Sequence, residues 1–260
     1  MQISILMATC NPNPQYFKEC LDSIEGQTFK DFELVLIDDG TTKLDLEEFL
    51  KPYSFPCKII KNPYNLGLAK SLNRGIAVCS GNYIARMDDD DIMMPTRLEK
   101  QLEVAQSNPN TLVFSNAELM NDDGSFVESN KTVISDIDIK QTLVKRGNWL
   151  VHSSLFAEKS VLLLKGGYDE RFIYAQDNAL YLSLLDDCNF IRISENLMKY
   201  RVAYNRSAVM KKILSALSCY AAVCEYISRH KTWKNRMYFV RRTISVIRMI
   251  LSYVFKGSKQ

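Results

Sequence analysis

The sequence lacks several features that commonly identify a function. Only two histidines occur among its 260 residues, His152 and His230, and its seven cysteines form no C-x-x-C pair. These residues offer no ligand set for a zinc site and instead indicate reduced thiols in a cytosolic protein. The ten glycines form neither a P-loop nor a G-x-G-x-x-G loop. A phosphate-binding site would therefore need another source of positive charge.

Long apolar segments are also missing. The apolar stretch near the N-terminus, Ile3 to Ala8, has no basic lead and is too short for a signal peptide. Near the C-terminus, the charge-free run after Arg248 falls short of the roughly 20 apolar residues that span a bilayer. We therefore expect no signal peptide and no spanning helix.

Charge is distributed unevenly along the chain. Residues 1–198 contain 19 basic and 29 acidic residues, whereas residues 199–260 contain 14 Lys or Arg and a single acid, Glu225. A split of this size suggests two separate roles. The acidic part is suited to a metal ion, and the basic part should face something anionic.

The order of predicted elements indicates an α/β fold. Predicted strands cover residues 2–8, Phe32 to Ile37, Lys58 to Ile60, Tyr83 to Met87 and Leu112 to Ser115, and predicted helices begin at Pro14, Leu66 and Pro95 and end near Gly26, Val78 and Gln106. Because strands and helices alternate over residues 1–115, we expect a doubly wound, mostly parallel sheet there. Further along, we predict a hairpin turn at 121–124, helices at 136–145 and Gln176 to Leu185, a strand from Leu150 to Ala157, and helices beyond about residue 208.

Polar clusters follow three of these strands. They are Thr9-Cys10-Asn11, Asp38-Asp39-Gly40 and the run of four acids from Asp88 to Asp91. Open parallel sheets bind ligands at the carboxyl ends of their strands, so the three clusters should converge at one edge. Several carboxylates together are unfavourable without a cation, and such oxygen ligands suit Mg²⁺ or Mn²⁺ with a phosphorylated substrate. The pattern predicts a nucleotide site with a divalent metal.

Further motifs occur in order along residues 1–205. They are Ile37-Asp38-Asp39-Gly40-Thr41, Asn65-Leu66-Gly67-Leu68-Ala69, Leu72-Asn73-Arg74-Gly75-Ile76, Ala85 to Asp91, Pro95 to Gln101, Gly166 to Glu170, Ala175 to Asn178, and Lys199-Tyr200-Arg201. Together they resemble the signature of family-2 glycosyltransferases. The resemblance implies a GT-A-type, Rossmann-like α/β fold and inverting transfer from a nucleotide sugar. It is strongest to the short bacterial enzymes that build O-antigen or capsule repeat units.

The resemblance also implies roles for individual residues in the nucleotide site. Thr9 and Asp39 would contact the uracil or the ribose, with Asp38 nearby. Asp88 and Asp90 would be the two acids of the D-x-D element. Asp90 would be a direct ligand of Mn²⁺ or Mg²⁺, and Asp88 would bind the metal or the ribose.

Four more residues are implied on the acceptor side. Asp177 would accept the proton of the acceptor hydroxyl as it attacks the anomeric carbon, in a single displacement that inverts this centre. Gly166 and Gly167 would let the backbone approach the sugar or the acceptor. His152 would touch the diphosphate or the acceptor.

Some positions allow two interpretations. Asp89 and Asp91 would only orient the turn or cap the helix from Pro95. Leu72 stands where the family usually has a basic residue, and either Lys70 or Arg74 would replace that charge.

The basic C-terminal part has the pattern of amphipathic helices. Residues 209–229 and 236–255 place apolar side chains at helical spacing, with arginines and lysines mostly between them. A cationic helix of this kind can lie among the headgroups of anionic lipid, which suits a lipid-linked acceptor such as an undecaprenyl diphosphate saccharide. The alternative is a helix packed on the catalytic domain with a solvated basic face.

We therefore predict a catalytic domain at 1–205, with a nucleotide-binding half at 1–115 and an acceptor-binding half at 116–205, and a helical tail at 206–260. The predicted activity moves a hexose, galactose or glucose, from a UDP-sugar to a lipid-linked saccharide at the cytoplasmic face of the cell membrane. No nucleic acid partner is expected. Two alternatives remain, a nucleotidyltransferase on a similar sheet and a non-enzymatic basic adaptor for membrane or nucleic acid.

Overall fold

The structure, a computed structural model, describes residues 1–127, 139–146, 149–202, 209–230, 237–241 and 243–248. The chain divides into two compact units. The first unit comprises Met1–Ser135, Leu150–Gly167 and Asp187–Tyr204, and the second comprises Asp136–Trp149, Tyr168–Asp186 and Asn205–Gln260. The predicted boundary after residue 205 lies next to the junction between Tyr204 and Asn205. Two earlier segments, Asp136–Trp149 and Tyr168–Asp186, belong to the same unit as the C-terminal residues. The functional division of the chain stays a prediction.

The described elements alternate between strands and helices over much of the chain. In order they are β1 (Ile3–Thr9), α1 (Pro14–Glu25), β2 (Phe32–Asp38), α2 (Leu46–Leu50), β3 (Cys57–Lys61), α3 (Leu68–Val78), β4 (Tyr83–Met87), β5 (Ile92–Met93), α4 (Arg97–Ser107), β6 (Thr111–Met120), β7 (Phe126–Val127), α5 (Ile139–Arg146), a 3₁₀ turn (His152–Ser154), β8 (Phe156–Glu158), α6 (Lys159–Leu163), α7 (Gln176–Leu184), β9 (Asn189–Arg201) and α8 (Val209–Arg229).

The first unit is built on one mixed sheet. Its strand order is β3-β2-β1-β4-β8-β6-β9-β5, and β7 pairs with β6. The longest ladders are parallel and join β3, β2, β1 and β4 in turn, and β6 with β9. By contrast, β8 lies antiparallel between β4 and β6, and β5 lies antiparallel beside β9. The predicted mostly parallel α/β sheet is confirmed.

Both faces of β1 and β2 are buried, which explains their nearly continuous apolar sequence. Met7 of β1 shares a core cluster with Leu21 of α1. Leu6 lies on the opposite face of the same strand, because successive side chains alternate. There it meets α3, where a Cβ added to Gly75 would be 2.2 Å from the Leu6 Cδ1 atom. Glycine at position 75 therefore allows α3 to pack on the sheet, and each buried aliphatic side chain contributes about 1.5–3 kcal/mol.

The strand register brings the predicted site segments to one edge. Thr9 pairs with Asp38 at the ends of β1 and β2, and Met7 pairs with Met87 at the end of β4. Since these strands run in the same direction, the residues that follow them emerge at the same edge. This is the convergence that the sequence predicts.

The first helix begins and ends as its sequence predicts. The Asn13 side-chain oxygen accepts hydrogen bonds from the amides of Gln15 and Tyr16 at 2.9 and 3.3 Å, and Pro14 occupies the first helical position. A cap of this kind contributes about 1 kcal/mol to stability. The helix ends at Glu25, and Gly26 is its C-terminal cap.

Several predicted boundaries differ from the structure, among them the start of α3, which lies at Leu68 rather than Leu66. The predicted strand from Leu150 to Ala157 is wrong in its first half, because residues 152–154 form a 3₁₀ turn. There the Ser154 hydroxyl donates to the Val151 carbonyl at 2.7 Å, a local bond that competes with strand pairing. In addition, α4 begins two residues after Pro95, and β6 continues to Met120 rather than ending at residue 115.

The longest strand, β9, was not predicted at all. Its middle residues, Ser194 to Asn196, are exposed, and its pairing with β6 is irregular at Ser115 and Asn116. The sequence therefore shows neither a steady alternation nor a continuous apolar run there. Its existence depends on a parallel partner that is distant in sequence.

The second unit consists mainly of helices in its described residues. Within it, α8 and α5 both pack against α7. After α8, the Nε2 atom of His230 lies 3.1 Å from Asp186 Oδ2, and its ring stacks on Tyr226. The predicted helical residues at 136–138, 231–236, 242 and 249–255 lie outside the described residues. Across the described ranges, no helix is both long and apolar enough to traverse a bilayer.

Candidate active site

The loops after β1 and β2 hold each other in place. Asn11 adopts a left-handed backbone conformation with φ of 51°, which asparagine tolerates better than most residues. Its side-chain oxygen accepts hydrogen bonds from the amides of Thr42 and Lys43 at 2.9 and 3.0 Å. The polar cluster after β1 therefore shapes the loop after β2.

Asp38 and Asp39 are both buried and both bind backbone amides. Asp38 Oδ1 accepts from the amide of Thr41 at 2.7 Å. Asp39 accepts from the amides of Leu66 and Gly67 at 2.7 and 3.0 Å. Asp39 thus fixes the turn that begins α3. An ionised carboxylate has about four acceptor positions, so these bonds do not use its full capacity.

Asn62 connects Asp39 to Arg74, one of the two residues that could replace the basic residue missing at position 72. Its Nδ2 donates to Asp39 Oδ1 at 2.6 Å, and its Oδ1 accepts a hydrogen bond from the Arg74 guanidinium. Leu72 is fully buried in the core, and Lys70 is exposed. Of the two candidates, Arg74 is the one that the structure joins to Asp39.

The four aspartates after β4 separate into two groups. Ligand oxygens of Asp88, Asp90 and Asp91 all lie within 4.8 Å of one another. Asp89 instead accepts a hydrogen bond from the hydroxyl of Thr9. The sequence singled out Asp88 and Asp90 and gave Asp91 only a role in the turn or the helix cap. The structure brings Asp91 into the same cluster, which we call the acidic cluster (Asp88, Asp90 and Asp91).

Burial and mutual repulsion disfavour negative charge in the acidic cluster. Burial, followed by the charges of Asp88 and Asp89, raises the pKa of Asp90 to about 6. Burial, followed by Asp88 and Asp90, raises the pKa of Asp91 to about 8. Asp88 receives two hydrogen bonds from the buried guanidinium of Arg86. One arginine cannot neutralise three carboxylates, so the cluster favours an additional cation.

Asp91 carries the clearest mark of such a site. It is fully buried, and its Oδ1 accepts from the amide of Arg201 at 2.9 Å. Its Oδ2 is buried and has no hydrogen-bond partner within the described part of the chain. The Ser153 hydroxyl is near enough to lower the pKa of Asp91 but is not in hydrogen-bonding geometry. A buried carboxylate oxygen beside two other carboxylates fits a hard divalent cation such as Mg²⁺ or Mn²⁺.

His152 lies at the start of the 3₁₀ turn, which packs against β4, β6 and β9. Burial lowers the pKa of His152 well below its usual value, and the charge of Arg86 lowers it further. The imidazole is therefore neutral at pH 7, which suits it to hydrogen bonding rather than to charge neutralisation. Its predicted contact with a diphosphate or an acceptor stays a prediction.

The two predicted glycines both use backbone conformations that other residues avoid. Gly166 and Gly167 have φ angles of 85° and 86°. A Cβ at Gly167 would lie 2.5 Å from Asn73 Oδ1, whereas a Cβ at Gly166 would meet nothing within 4 Å. Gly167 therefore provides close approach to Asn73 of the third motif, and contact with a sugar or an acceptor stays a prediction.

The predicted base, Asp177, belongs to the second unit. It lies in the first turn of α7, and its Oδ1 accepts from the amide of Asn178 at 2.7 Å. The residue that caps this helix, Ala175, has a left-handed φ of 56° without being a glycine. Strained backbone of this kind clusters at functional sites. The catalytic role of Asp177 stays a prediction.

Comparison with known proteins places these residues in a family. Residues 4–160 match the family model described as Glycosyl transferase family 2. The chain belongs to this family. The matched segment contains Thr9, Asp38, Asp39, the acidic cluster and His152, and it ends before Gly166, Gly167 and Asp177.

Several curated relatives are similar over most of their length. An uncharacterized glycosyltransferase of Methanocaldococcus jannaschii is 33% identical over 243 residues, covering 91% of this chain and 81% of the relative. An O-antigen biosynthesis glycosyltransferase of Escherichia coli is 32% identical, covering 84% of this chain and 85% of the relative. An amylovoran biosynthesis glycosyltransferase of Erwinia amylovora is 30% identical, covering 70% and 69%.

Solved structures show the fold of this family member. Residues 1–349 of Staphylococcus aureus TarS, in complex with UDP-GlcNAc, align with a TM-score of 0.66 at 15% identity, covering 96% of this chain and 81% of that TarS segment. A TarS complex with UDP aligns with a TM-score of 0.64, covering 88% and 72%. The predicted GT-A-type α/β fold is confirmed.

Proposed function

We propose that this glycosyltransferase moves a hexose, galactose or glucose, from a UDP-sugar to a lipid-linked saccharide, with inversion and with the help of Mn²⁺ or Mg²⁺. The observation that carries the proposal is the acidic cluster, whose oxygens lie within 4.8 Å of one another at the end of β4. It stands at the same sheet edge as Asp38 and Asp39. Of the three functions that the sequence allowed, membership of this family favours the first.

A UDP-sugar donor is supported from two directions. The solved relative with the same fold was crystallised with UDP and with UDP-GlcNAc. In this chain, Thr9, Asp38 and Asp39 follow the strands at whose carboxyl ends a nucleotide binds. We assign the uracil and ribose contacts to these residues. The amide turn that Asp39 organises gives the nucleoside a rigid wall.

The acidic cluster would hold the cation. When bound, a divalent ion supplies positive charge that stabilises the negative charge gathering on the leaving diphosphate. Asp90 and Asp91 would contribute carboxylate oxygens, and Asp88 would share its carboxylate between the cation and Arg86. Since no glycine-rich phosphate loop exists in the sequence, this charge compensation would fall to the cation that the cluster would hold and to nearby arginines.

Asp177 would act as general base. The acceptor hydroxyl oxygen forms a bond to the anomeric carbon while the bond from that carbon to the diphosphate oxygen breaks, and its electron pair leaves with UDP. The hydroxyl proton goes to the Asp177 carboxylate. A single displacement converts an α-linked donor into a β-linked product. His152, Gly166 and Gly167 are the proposed contacts to the diphosphate or the acceptor.

A lipid-linked acceptor, such as an undecaprenyl diphosphate saccharide, is supported by two observations. Relatives named for O-antigen and amylovoran biosynthesis are similar over most of their length. In the second unit, Val240, Ile244 and Ile247 are exposed apolar residues on the helical segments near the basic Arg241 and Arg248. Exposed apolar and cationic side chains together favour binding to an anionic membrane, which would place the protein at its cytoplasmic face.

A donor and acceptor screen tests the proposal. The purified protein is incubated with Mn²⁺, a synthetic GlcNAc-diphosphate-lipid and a panel of UDP- and GDP-sugars, and the product linkage is determined by NMR. We expect a β-linked hexose from UDP-galactose or UDP-glucose. An α-linked product from these α-linked donors would overturn the inverting mechanism. Failure of every donor to bind or react would overturn the function itself.

A further inference from the structure

Arg201, the last residue of β9, is a buried arginine with an unusual number of partners. Its side chain is 2% exposed. One terminal nitrogen, Nη2, donates to Glu19 Oε2 at 2.6 Å. The other, Nη1, donates to the carbonyls of Asn121 and Asp122 at 3.1 and 3.0 Å. The guanidinium carbon also lies 3.9 Å from the centre of the Tyr16 ring.

The same residue reaches the acidic cluster by two further bonds. Its Nε donates to the main-chain carbonyl of Asp90 at 3.0 Å. Its backbone amide donates to Asp91 Oδ1 at 2.9 Å. Arg201 therefore fixes the main chain at one acid of the cluster and the carboxylate of the next.

The strand that carries Arg201, β9, holds these contacts to the acidic cluster rigidly. β9 pairs with β6 through Met120 and Arg201, and it pairs with β5 through Lys199 and Ile92, directly after the cluster. A planar guanidinium offers five donors in a fixed arrangement, which a lysine ammonium cannot reproduce. The residue thus joins α1, the hairpin turn after β6 and the acidic cluster in one defined geometry.

The direction of the Asp91 carboxylate follows from this arrangement. Its Oδ1 is taken by the Arg201 amide, which leaves the buried Oδ2 as the oxygen for another partner. The hydrogen bonds of the Arg201 side chain go to the main-chain carbonyls of Asp90, Asn121 and Asp122 and to the Glu19 carboxylate. None of these acceptors is a carboxylate of the acidic cluster. The side chain therefore orders the cluster without occupying the oxygens that a cation needs.

We infer that Arg201 is a positioning residue that presets the acidic cluster for a divalent cation. The inference rests on the proposed metal dependence, and it adds a residue 110 positions away from Asp91 to the metal site. Residues that orient metal ligands commonly account for about 10- to 100-fold in metal affinity when they are replaced. A purely structural arginine would change stability without changing metal affinity.

Direct Mn²⁺ binding tests this inference without relying on turnover. We would titrate donor-free protein with Mn²⁺ and measure the free ion by electron paramagnetic resonance, for wild type, Arg201→Lys and Arg192→Lys. The Arg192 variant is the matched control, because it makes the same change on the same strand. We expect the Mn²⁺ Kd of Arg201→Lys to rise about 10-fold or more and that of the control to stay unchanged.

Rescue by metal separates positioning from general damage. At saturating Mn²⁺ the kcat of Arg201→Lys should approach the wild-type value, because the cluster is intact once it is filled. If this variant does not fold, Glu19→Gln, which leaves Arg201 in place and removes the negative charge of one of its partners, should show a smaller rise in Kd. Wild-type Mn²⁺ affinity in the folded variants would overturn the inference alone. Absence of Mn²⁺ binding to wild-type protein, with or without UDP, would overturn both it and the proposed metal dependence.

Discussion

The two units differ in how much charge they bury. In the first unit, Arg86 is buried and binds Asp88 through two hydrogen bonds. In the second unit, Arg171 is 69% exposed and pairs with Asp169 and Glu225 at the surface. Exposed pairs contribute about 0–1 kcal/mol, whereas breaking a buried pair costs about 3–5 kcal/mol. Charge that is kept buried at such cost points to a binding role, and the first unit has most of it.

This difference predicts that replacing an acid of the first unit and replacing an acid of the second unit will have different effects on activity and cation binding. The proposed base should affect only the chemical step, while the acidic cluster should affect both the reaction and cation binding.

Replacing the proposed base should have the largest effect. Asp177→Asn keeps the side-chain volume but removes the proton acceptor, so we expect transfer to slow by about 10²- to 10⁴-fold. Mn²⁺ binding should be unchanged. Steady-state kinetics with UDP-hexose and acceptor would measure the loss, with Glu225→Gln as the control, since its surface ion pairs contribute little. Normal turnover in Asp177→Asn would remove this residue from the mechanism.

Replacing an acid of the cluster should reduce both activity and binding. For Asp90→Asn we expect a loss of about 10²- to 10³-fold in kcat, as for removal of one group that stabilises developing charge. Wild-type protein should gain about 2.7 kcal/mol of stability when Mn²⁺ is present at 100 times its Kd, and the variant should gain much less. Thermal unfolding with and without Mn²⁺ measures this difference. Asp31→Asn, an exposed acid at the opposite end of β2, should behave as wild type.

Removing charge from the second unit should weaken membrane binding. The double substitution Arg241→Gln and Arg248→Gln removes two exposed charges, each contributing about 1 kcal/mol at an anionic surface, or about fivefold in affinity. Sedimentation with phosphatidylglycerol-containing vesicles measures the loss. Lys18→Gln with Lys51→Gln, two exposed lysines of the first unit, is the matched control. Equal vesicle binding by both double variants would contradict a role for Arg241 and Arg248 in membrane binding.

The smallest effect concerns stability alone. Asn13→Ala removes the side chain that caps α1, and we expect the free energy of unfolding to fall by about 1 kcal/mol. Mn²⁺ affinity should not change, because the cap does not touch the acidic cluster. Urea unfolding measures the first quantity and Mn²⁺ titration the second. A loss of metal affinity here would show that the site depends on the whole of α1 rather than on Glu19 and Tyr16.

The parallel half of the fold was predictable because local signals and tertiary structure agree there. Both faces of β1 and β2 are covered, so their apolar residues run almost without interruption, and Asn13 with Pro14 marks a helix start. In contrast, β9 carries exposed residues in its centre and depends on β6, about 80 residues earlier for most pairs. No local pattern reports a partnership of that kind.

The candidate site divides in the same way. Asp38, Asp39 and the four aspartates were found because they follow buried strands directly. The membership of Asp91 in the cluster was missed because it depends on which acid turns toward Thr9 and which toward Arg201. Arg201 itself appeared in a motif, but its contact with Asp90 arises only when β9 takes its place in the sheet.

The most direct test of the account is donor cleavage with the cation controlled. Release of UDP from UDP-galactose and UDP-glucose is followed in metal-stripped protein, before and after Mn²⁺ is added, for wild type and Asp90→Asn. The account predicts no release without the ion, release after Mn²⁺ is restored to wild type, and little recovery in the variant. Equal release by wild-type protein with and without Mn²⁺ would contradict the central claim that the acidic cluster acts through a bound cation.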